Sequence, residues 1–536
     1  MTARAAFGTR SRLGGVAAVR DHVFLGLHWP TDPKRLPMKS CVLGLDIGTT
    51  STIGLLLRLP GEILAVASRP VTLTSKHAGW AEEDPAEWWA NVCALSRELV
   101  ATAGIDPTEI SAIGVTGMLP AVVLLDSEGR LLRPSIQQSD GRCGAEVAEL
   151  RAERDEPGFI AKAGNGINQQ LVTAKLRWIA RHEPDVFADI ATVFGSYDYV
   201  NWRLTGERAV EQNWALEAGF VDVSRHAIDD DLVAWARIPR SAIPRKTASH
   251  EVMGRVSAEG AAETGLAAGT PVIGGAADMI ASALGAGVTQ RGDILLKFGG
   301  AIDILVATDQ VKPDPRLYLD YHLIPGLYMP NGCMATGGSG LNWFVRNFAG
   351  GEAAAAAAAG LTLHQHLDAL ADQRPAGADG LTILPYFLGE KTPIHDPAAR
   401  GVIDGLTLSH DIGHVWRALL EGYAYACAHH VEVLADMGHA AGRVLVSDGG
   451  SNSRVWMQIV ANVLQQPVHR LKGHPGSSLG AAWTAAVGIG AATWSGISRF
   501  VEQGETLLPD PACAETYAAG YARYRDLYRR LEGRPA

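Results

Sequence analysis

A short glycine turn between two β-rich runs constrains the fold of this chain most. Residues 41–47 are apolar except for Asp46, residues 48–51 combine glycine with hydroxyl side chains, and residues 52–58 return to an apolar pattern. A tight glycine turn between two such runs predicts a β-hairpin. Folds with a P-loop or a dinucleotide fingerprint instead place a helix directly after the glycine loop. The turn therefore favours a strand–turn–strand fold over both of those classes.

The same kind of turn recurs in the second part of the chain. Two predicted strands flank Gly299 and Gly300, and another strand runs into Gly449 and Gly450. A long amphipathic helix is predicted over residues 411–436. In both parts strands come first and helices follow, which predicts a mixed α/β sheet with helices on its faces. The repetition predicts two similarly built domains.

Composition and charge exclude several classes of protein. Of the 536 residues, 47% are hydrophobic and 19% are charged, so the chain can bury sizeable cores and is not disordered. The formal net charge of −10 argues against nucleic acid as a partner, because an acidic surface repels the phosphate backbone. No apolar run approaches the ~18 residues that a membrane-spanning helix needs. The six cysteines are scattered singly, which predicts reduced thiols in a cytoplasmic protein.

Residues 1–38 differ from the rest of the chain. They hold five arginines and no glutamate and show no steady periodicity, as a transit-like peptide would. A secretory signal is excluded, because Arg20, Asp21 and His22 interrupt the apolar stretch. The favoured interpretation is that translation begins at Met38, which makes the extension a disordered tail or an artefact of gene prediction.

Asp46 and the turn after it carry the first candidate chemistry. Glycine lets the backbone approach an anion, and the hydroxyls of Thr49 and Thr50 add donors beside Gly48. An aspartate at a strand end can hold Mg²⁺, directly or through water, next to phosphate groups. The alternative interpretation is an ordinary hairpin with a polar turn, because short glycine motifs also occur without a ligand.

Asp278 is the second candidate. It follows two glycines and two alanines, residues 274–277, whose small side chains leave space around one carboxylate. An aspartate placed in this way can accept a proton from a hydroxyl that attacks a phosphoryl group. The alternative is that Asp278 caps the helix predicted from residue 279, since aspartate is a favoured N-cap, and the two roles are compatible.

Two further glycine turns complete the set. Gly299 and Gly300 lie between two predicted strands, where a backbone turn can again approach an anion. Gly449 and Gly450 follow a strand and precede a predicted helix. Because a helix N-terminus favours an anion, this last turn predicts a phosphate or ribose site.

Longer motifs identify a resemblance to a known family. From about residue 39 to about residue 525, the chain resembles the FGGY family of carbohydrate kinases, and within that family the xylulokinases. Four stretches carry the resemblance, and they are Leu45-Asp46-Ile47-Gly48-Thr49-Thr50, residues 80–89 (WAEEDPAEWW), residues 389–422 beginning Gly389-Glu390-Lys391-Thr392-Pro393, and Asp448-Gly449-Gly450.

The resemblance implies both a fold and a chemistry. The expected fold is α/β, with two ribonuclease-H-like domains of the actin/hexokinase ATPase type over residues 39–288 and 289–525 and a cleft between them. ATP and Mg²⁺ are the implied cofactors, a small-molecule sugar is the implied substrate, and dimers are common in the family, which implies a homodimer. Asp278 matches the general base and Asp46 the residue near Mg²⁺. The residues that match the nucleotide contacts are Gly48, Thr49, Thr50, Gly299, Gly300, Gly449, Gly450 and Asn452.

Departures from the family's pattern fall where the sugar is expected. Leu119 follows Met118 where xylulokinases present a histidine, which removes a hydrogen bond to a sugar hydroxyl. Met279 replaces the usual amide after Asp278, and Ala301 replaces a hydroxyl residue in the second phosphate turn. The residues expected to contact the substrate are Met118, Leu119, Asp140, Gln170 and Asp278.

The acceptor of the phosphoryl group therefore stays open at this point. A ketopentose, with D-xylulose first, is the leading acceptor for phosphorylation by ATP. Another ketose or polyol of the same family, such as ribulose, erythrulose or glycerol, is the nearest alternative. An actin-like sensor that binds nucleotide without phosphorylating a sugar is the alternative from another class.

Overall fold

The computed structural model describes residues 40–473 and 476–532. The extension predicted over residues 1–38 lies outside the described residues. Among the helices of the described part, none is long and apolar enough to cross a membrane.

The first half of the chain is built around a seven-stranded sheet. Its strands β1 to β15 span, in order, Cys41–Ile47, Ser51–Arg58, Glu62–Pro70, Glu82–Glu83, Ile110–Gly117, Val123–Leu125, Ser135–Ile136, Thr192–Phe194, Ala209–Glu211, Val221–Asp222, Ala227–Ile228, Arg245–Thr247, Val252–Arg255, Pro271–Ile273 and Ala276–Ala277. The sheet order is β13-β14-β5-β1-β2-β3, and β15 also pairs with β5. Strands β1, β2 and β3 are antiparallel neighbours, β5 is parallel to β1, β14 is parallel to β5, and β13 closes the edge antiparallel.

The second half repeats this order. Its strands β16 to β24 span Ile294–Phe298, Ile302–Val306, Tyr318–Tyr321, Tyr328–Met334, Thr382–Leu384, Val402–Asp404, Val444–Ser447, Val468–Leu471 and Gln503–Leu507. The sheet order is β18-β19-β17-β16-β22-β23-β24. Strands β16, β17 and β19 are antiparallel, β22 and β23 continue parallel, and β24 is the antiparallel edge. The predicted repetition of one strand order in both halves is therefore confirmed.

The opening hairpin forms where the sequence predicts it. Every residue of β1 is buried, because this strand lies in the middle of the first sheet. The turn closes where the Gly48 N–H donates to the Ser51 carbonyl oxygen over 3.0 Å. Strand, turn and strand follow one another without a helix, so the expectation against a P-loop holds.

Helices cover both sheets. Helices α1 to α10 of the first half span Pro85–Ala103, Gly144–Glu153, Glu156–Ala163, Val172–His182, Pro184–Ala188, Ser196–Thr205, Gln212–Glu217, Asp230–Trp235, Ala258–Thr264 and Asp278–Gly285. Helices α11 to α17 of the second half span Gly338–Phe348, Ala353–Ala358, Leu363–Asp372, Ile412–Asp436, Arg454–Leu464, Ser477–Gly488 and Ala514–Leu531. The predicted long helix is α14, which begins after the N-cap Asp411 in a capping box with His414.

Helix α16 packs on the first sheet although it comes from the end of the chain. A Cβ atom on Gly44 of β1 would lie 2.0 Å from the Ser478 carbonyl oxygen, and one on Gly480 would lie 2.0 Å from the Ala281 carbonyl oxygen of α10. No other residue fits at distances this short, so these glycines permit the packing. The contact brings the start of α16 to the end of β1, which carries Asp46.

Two side-chain amides join strand β18 of the second sheet to the first half. The amide of Asn213 on α7 donates to the Tyr321 carbonyl oxygen over 3.1 Å and accepts from the Tyr321 N–H over 2.7 Å. The amide of Asn165 makes the same pair with the backbone of Leu319, at 3.0 and 2.8 Å. These amides pair with the strand as a neighbouring strand would, so β18 is fixed to both halves.

Candidate active site

A cavity of about 220 Å³ lies where the two halves meet. The residues that line it from the first half are Thr49, Met118, Leu119, Gln138, Gln170, Glu217, Asp278 and Met279. Those from the second half are Lys297, Asp303, Tyr318, Asn331, Cys333 and Lys391. The cavity therefore collects five of the predicted site residues, which are Thr49, Met118, Leu119, Gln170 and Asp278.

Asp278 stands at the start of helix α10. A Cβ on Gly274 would lie 2.3 Å from the Ala248 carbonyl oxygen, so the small residues before Asp278 are required by close packing. Ala277 is the N-cap of α10 and Asp278 is its first residue, which shows that the cap alternative is wrong. One carboxylate oxygen of Asp278 accepts the Met279 N–H over 2.6 Å. Asp278 also lines the cavity, where its carboxylate can contact a ligand.

Asp46 lies at the end of β1. Its Oδ2 accepts a hydrogen bond from the Ser477 hydroxyl over 2.6 Å, at the start of α16. Burial, together with the negative charge of Asp278, raises the pKa of Asp46 to about 7, against the opposing influence of the Ser477 hydroxyl. Asp46 and Asp278 therefore share one electrostatic environment.

Lys297 provides the positive charge that opposes the carboxylates of Asp46 and Asp278. Its ammonium lies 3.7 Å from the carboxylate of Asp303, which is its direct cross-strand neighbour on β17. Burial alone would lower the pKa of Lys297. Four nearby carboxylates outweigh the effect of burial and raise this pKa, and these are the carboxylates of Asp303, Asp448, Asp278 and Asp46. Burial raises the pKa of Asp278, and the charge of Lys297 is the largest influence against that rise.

The predicted phosphate turns occupy the ends of their strands. Thr49 lines the cavity, and Gly48 and Thr50 flank it in the turn after β1. The turn at Gly299 and Gly300 is held by the start of α11, because both carbonyl oxygens accept backbone N–H groups from residues 337–339 at 2.7 to 3.1 Å. This turn places backbone groups beside the strand that carries Lys297.

The last glycine turn packs against the second sheet. Asp448 adopts the left-handed region with φ +68°, and residues 449–452 form a short 3₁₀ turn before α15. A Cβ on Gly450 would lie 2.8 Å from the Cβ of Phe298 on β16, so glycine is required there. The carbonyl oxygen of Asn452 accepts a hydrogen bond from Arg470 over 3.1 Å. Gly449, Gly450 and Asn452 thus lie near the second phosphate turn, outside the lining of the cavity.

Met118 and Leu119 follow strand β5 and reach the cavity from its carboxyl end. The Met118 carbonyl oxygen accepts the Ser196 hydroxyl over 2.8 Å, which fixes this segment. Gln170 donates to the side chain of Gln138 over 3.3 Å, and both amides line the cavity. This side of the cavity, where the sugar is expected, therefore combines apolar side chains with a pair of amides.

Asp140 does not line the cavity. Its carboxylate accepts the Ala81 N–H over 2.6 Å and hydrogen bonds from the Arg142 guanidinium at 2.7 and 2.8 Å. Trp80 packs over that guanidinium at 3.8 Å, and Glu82 also accepts from it. Burial would raise the pKa of Asp140, but the bonds from Arg142 hold it below its usual range. In this structure Asp140 orients Arg142 and makes no contact with the cavity.

Several lining residues were missed by sequence reasoning. Lys391 belongs to the long C-terminal motif. That motif indicated the family resemblance but assigned no role to the Lys391 side chain. Tyr318 and Asn331 lie on two antiparallel strands, and Glu217 lies on a helix of the other half. No local pattern links these residues, because strand pairing brings Tyr318 to Asn331 and bonds between the halves bring α7 to the same sheet.

Asp46 is the described residue that fits a contact with Mg²⁺. Its Oδ1 is buried and accepts no hydrogen bond within the described residues. In phosphoryl-transfer sites Mg²⁺ is held by one or two carboxylates together with phosphate and water, without a full protein cage. Over residues 40–473 and 476–532, no group of three or more His, Cys, Asp or Glu side chains could hold an ion. A single carboxylate with a free oxygen is consistent with the first arrangement.

Comparison with known proteins gives two family matches. Residues 41–285 match the FGGY family of carbohydrate kinases, N-terminal domain, and residues 301–489 match the C-terminal domain of the same family. The two matches together cover more than half of the chain.

Individual relatives match over nearly the whole chain. The xylulose kinase of Escherichia coli strain K12 is 31% identical over 495 residues, which are 91% of this chain and 98% of that protein. The L-xylulose/3-keto-L-gulonate kinase of the same strain is 28% identical, over 92% of this chain and 97% of its own. The crystal structure of xylulose kinase from Rhodospirillum rubrum is 60% identical, with a TM-score of 0.87 over 92% of this chain and 99% of that one. The fold is the two-domain, actin/hexokinase-like class that the sequence predicts.

Proposed function

The chain belongs to the FGGY family of carbohydrate kinases, and we propose that it transfers the γ-phosphoryl group of ATP to a hydroxyl of a ketopentose, with D-xylulose first. The observation that carries the proposal is one cavity that unites Asp278 with Thr49 of the first phosphate turn and Lys297 of the second half. The relatives named xylulose kinase support the choice of sugar.

Asp278 is the proposed general base. It accepts the proton of the sugar hydroxyl as the hydroxyl oxygen attacks the γ-phosphorus in line with the leaving oxygen. The Met279 N–H holds the carboxylate in place, and Lys297 offsets part of its negative charge. Both interactions favour the ionised form that a base requires.

The turns after β1 and β16 are the proposed phosphate contacts. Backbone N–H groups at Gly48, Gly299 and Gly300 and the hydroxyls of Thr49 and Thr50 can donate to phosphate oxygens. We place Mg²⁺ beside the free oxygen of Asp46, and when bound this ion neutralises charge on the phosphate oxygens.

The adenosine end of the nucleotide is assigned to the second half. Gly449, Gly450 and Asn452 are the proposed contacts, because α15 begins directly after them and offers its N-terminus. The proposed domains, residues 39–288 and 289–525, are supported by the ranges of the two family matches. The six cysteines are free thiols, which supports a reducing compartment and hence the cytoplasm. A homodimer stays a prediction.

The nearest alternative is a different acceptor. Met118, Leu119, Gln170 and Asp278 are the proposed sugar contacts, and the apolar side chains among them favour an acceptor with fewer hydroxyls facing that wall. Asp140 is proposed as an indirect contributor through Arg142. Release of ADP, coupled to NADH oxidation, should be measured with D-xylulose, L-xylulose, D-ribulose, erythrulose, glycerol and gluconate. If kcat/KM is highest for D-xylulose, the proposal is supported. A tenfold higher kcat/KM for another acceptor would make that acceptor the proposed substrate in place of D-xylulose.

Asp278→Asn tests the assigned base. The variant keeps the shape of the side chain but cannot take up the proton, so kcat should fall by at least about 100-fold. Binding of ATP, measured by calorimetry, should remain within threefold of the wild type. Turnover near that of the wild type would remove Asp278 from the mechanism, and release of ADP that ignores every sugar would contradict the kinase proposal itself.

A further inference from the structure

Glu217 presents a buried carboxylate without a donor to the cavity that also holds Asp278. The residue is 7% exposed and lines the cavity, yet its side chain accepts no hydrogen bond from any described residue. A buried carboxylate normally has donors, because desolvating it without them is unfavourable. An acceptor group that faces a ligand cavity in this state is suited to a donor on the ligand.

The backbone around Glu217 is firmly held. Glu217 is the last residue of α7, and Asn213, one turn earlier, makes the pair of hydrogen bonds with Tyr321. The helix is capped by Glu211, whose carboxylate accepts the N–H groups of Asn213 and Trp214 at 2.8 and 3.3 Å. A side chain on such a helix keeps a fixed position at low entropic cost, as a specificity contact requires.

The charges around Glu217 leave the carboxylate in need of a donor. Burial raises the pKa of Glu217 to about 7, and Lys175 is the cation that opposes this rise. Lys175 is itself fully buried, and its ammonium donates to the Gln137 carbonyl oxygen over 2.7 Å. The neighbouring acid Asp320 already accepts from Asn331 over 2.9 Å. None of these groups donates to Glu217.

We propose that Glu217 is a specificity-determining residue that accepts a hydrogen bond from one hydroxyl of the acceptor sugar. The inference rests on the proposed function and adds the chemical class of the substrate, a neutral polyol with a hydroxyl at this wall. A sugar acid whose carboxylate pointed at Glu217 would meet like charge, which is unfavourable in a buried site. A deoxy sugar would leave the carboxylate without its donor.

Asp303 is the third acid that lines the cavity, beside Glu217 and Asp278, and it is a weaker choice for this role. Its carboxylate lies 3.7 Å from the ammonium of Lys297 and is its cross-strand neighbour. Within residues 40–473 and 476–532 Glu217 has no such ion pair, so a ligand hydroxyl gains more by binding Glu217. The same reasoning explains why the loss of this residue should act on recognition of the sugar, while Asp278 acts on the chemical step.

A double-mutant cycle between protein and substrate tests the proposal. In the full-length wild type, kcat/KM is compared for the best ketopentose and for analogues that each lack one hydroxyl other than the phosphorylated one. A hydrogen bond to a charged group contributes enough to change kcat/KM by about 10- to 100-fold. One analogue should show this loss in the wild type. In Glu217→Ala, kcat/KM for the parent sugar should fall by a similar factor. For the analogue that lacks the hydroxyl, kcat/KM should differ from the wild-type value by less than about threefold.

Two further variants separate recognition from folding. Glu217→Gln keeps an acceptor oxygen and should recover part of the loss. Glu83→Gln is the matched control, because Glu83 is a buried carboxylate of the same half that lines no part of this cavity. It should change the melting temperature without any dependence on which hydroxyl the sugar lacks. Binding of the sugar without nucleotide, measured by calorimetry, gives a second readout for each variant.

The outcomes distinguish the two proposals. Equal losses for every analogue in Glu217→Ala, or no loss for any, would overturn the role of Glu217 while sugar-dependent release of ADP still supports the kinase. If no sugar stimulates release of ADP by the wild type, the proposed kinase function itself is wrong, and the role of Glu217 is overturned with it. Coupling of one hydroxyl to Glu217 alone supports the assignment and identifies the position of that hydroxyl.

Discussion

Replacing Asp46 with asparagine should stabilise the free protein while it removes kinase activity. Asp46 is 8% exposed and lies in the field of a second carboxylate, that of Asp278. In the absence of metal and nucleotide this arrangement disfavours the charged form, so the folded state holds an ionised group at a cost. Asparagine has the same shape without the charge and still offers an oxygen to the Ser477 hydroxyl.

The size of the effect follows from the pKa. Burial and the Asp278 charge raise the pKa of Asp46 from 3.8 to about 7. Each unit corresponds to about 1.4 kcal/mol, so the ionised group lowers the free energy of unfolding by about 4 kcal/mol at most. The new amide places an N–H where Oδ1 had no partner, which costs about 1–3 kcal/mol. A net gain of about 2 kcal/mol remains, which is about 4–8 °C in melting temperature for a domain of this size.

The effect has a defined pH dependence. The folded-state pKa of Asp46 lies above the unfolded value, so its favourable contribution is complete below pH 3.8 and is lost as pH rises through about 7. The advantage of Asp46→Asn should therefore be small near pH 4 and largest at pH 8. Asp140→Asn should behave in the opposite way, because bonds from Arg142 lower the pKa of Asp140 and its stabilisation is present at neutral pH.

The assay is thermal unfolding of both variants and the wild type in EDTA, without nucleotide, at several values between pH 4 and pH 8. A gain in melting temperature for Asp46→Asn that grows with pH, beside a loss for Asp140→Asn, fits the reasoning. A lower melting temperature for Asp46→Asn at pH 8 would refute it, since the buried charge would then be stabilising. Release of ADP in the presence of sugar should be lost in the same variant.

Two substitutions at glycines test the packing of the site. Gly450→Ala would place a Cβ 2.7 Å from the Trp456 ring and 2.8 Å from the Phe298 Cβ, which should raise KM for ATP by about tenfold and leave KM for the sugar unchanged in steady-state kinetics. Gly480→Ala would push α16 away from the Ala281 carbonyl oxygen and should lower the free energy of unfolding in urea by about 1–3 kcal/mol. Gly351→Ala is the control, because Gly351 has open space around it, and the free energy of unfolding should change little.

Much of the fold could be predicted because its boundaries are written in local chemistry. Strand β1 was predicted with the observed ends, since Asp46 and the glycine turn close an apolar run. The long helix was predicted from its stripe of apolar residues and from Gly438 as its stop, and the structure adds the N-cap Asp411. The short strand Ala276–Ala277 was missed, because two alanines carry no strand pattern and only their pairing with β5 defines them.

The candidate site could be predicted only in part, and the division has a physical origin. Asp278 and Thr49 each follow a strand with a glycine pattern, which marks such positions in a sequence. Asp140 has a similar local pattern, yet its hydrogen bonds with Arg142 turn it away from the cavity. Whether a carboxylate faces a ligand or a neighbouring cation depends on contacts distant in sequence, which a local pattern does not contain.

The acceptor side of the cavity depends on the contact between the halves. Asn213 pairs with the backbone of Tyr321, and Glu217 lies one helical turn after Asn213 on the same face of α7. Strand β18, which this pair holds, carries Tyr318 into the same cavity. One set of hydrogen bonds therefore positions two walls of the proposed sugar site, one on a helix of the first half and one on a strand of the second. The turns after β1 and β16 need no such support, since the Gly48 N–H closes the first on Ser51 and the start of α11, in the same half, holds the second. Changes of acceptor can therefore arise on α7 and β18 while the phosphate turns stay as they are.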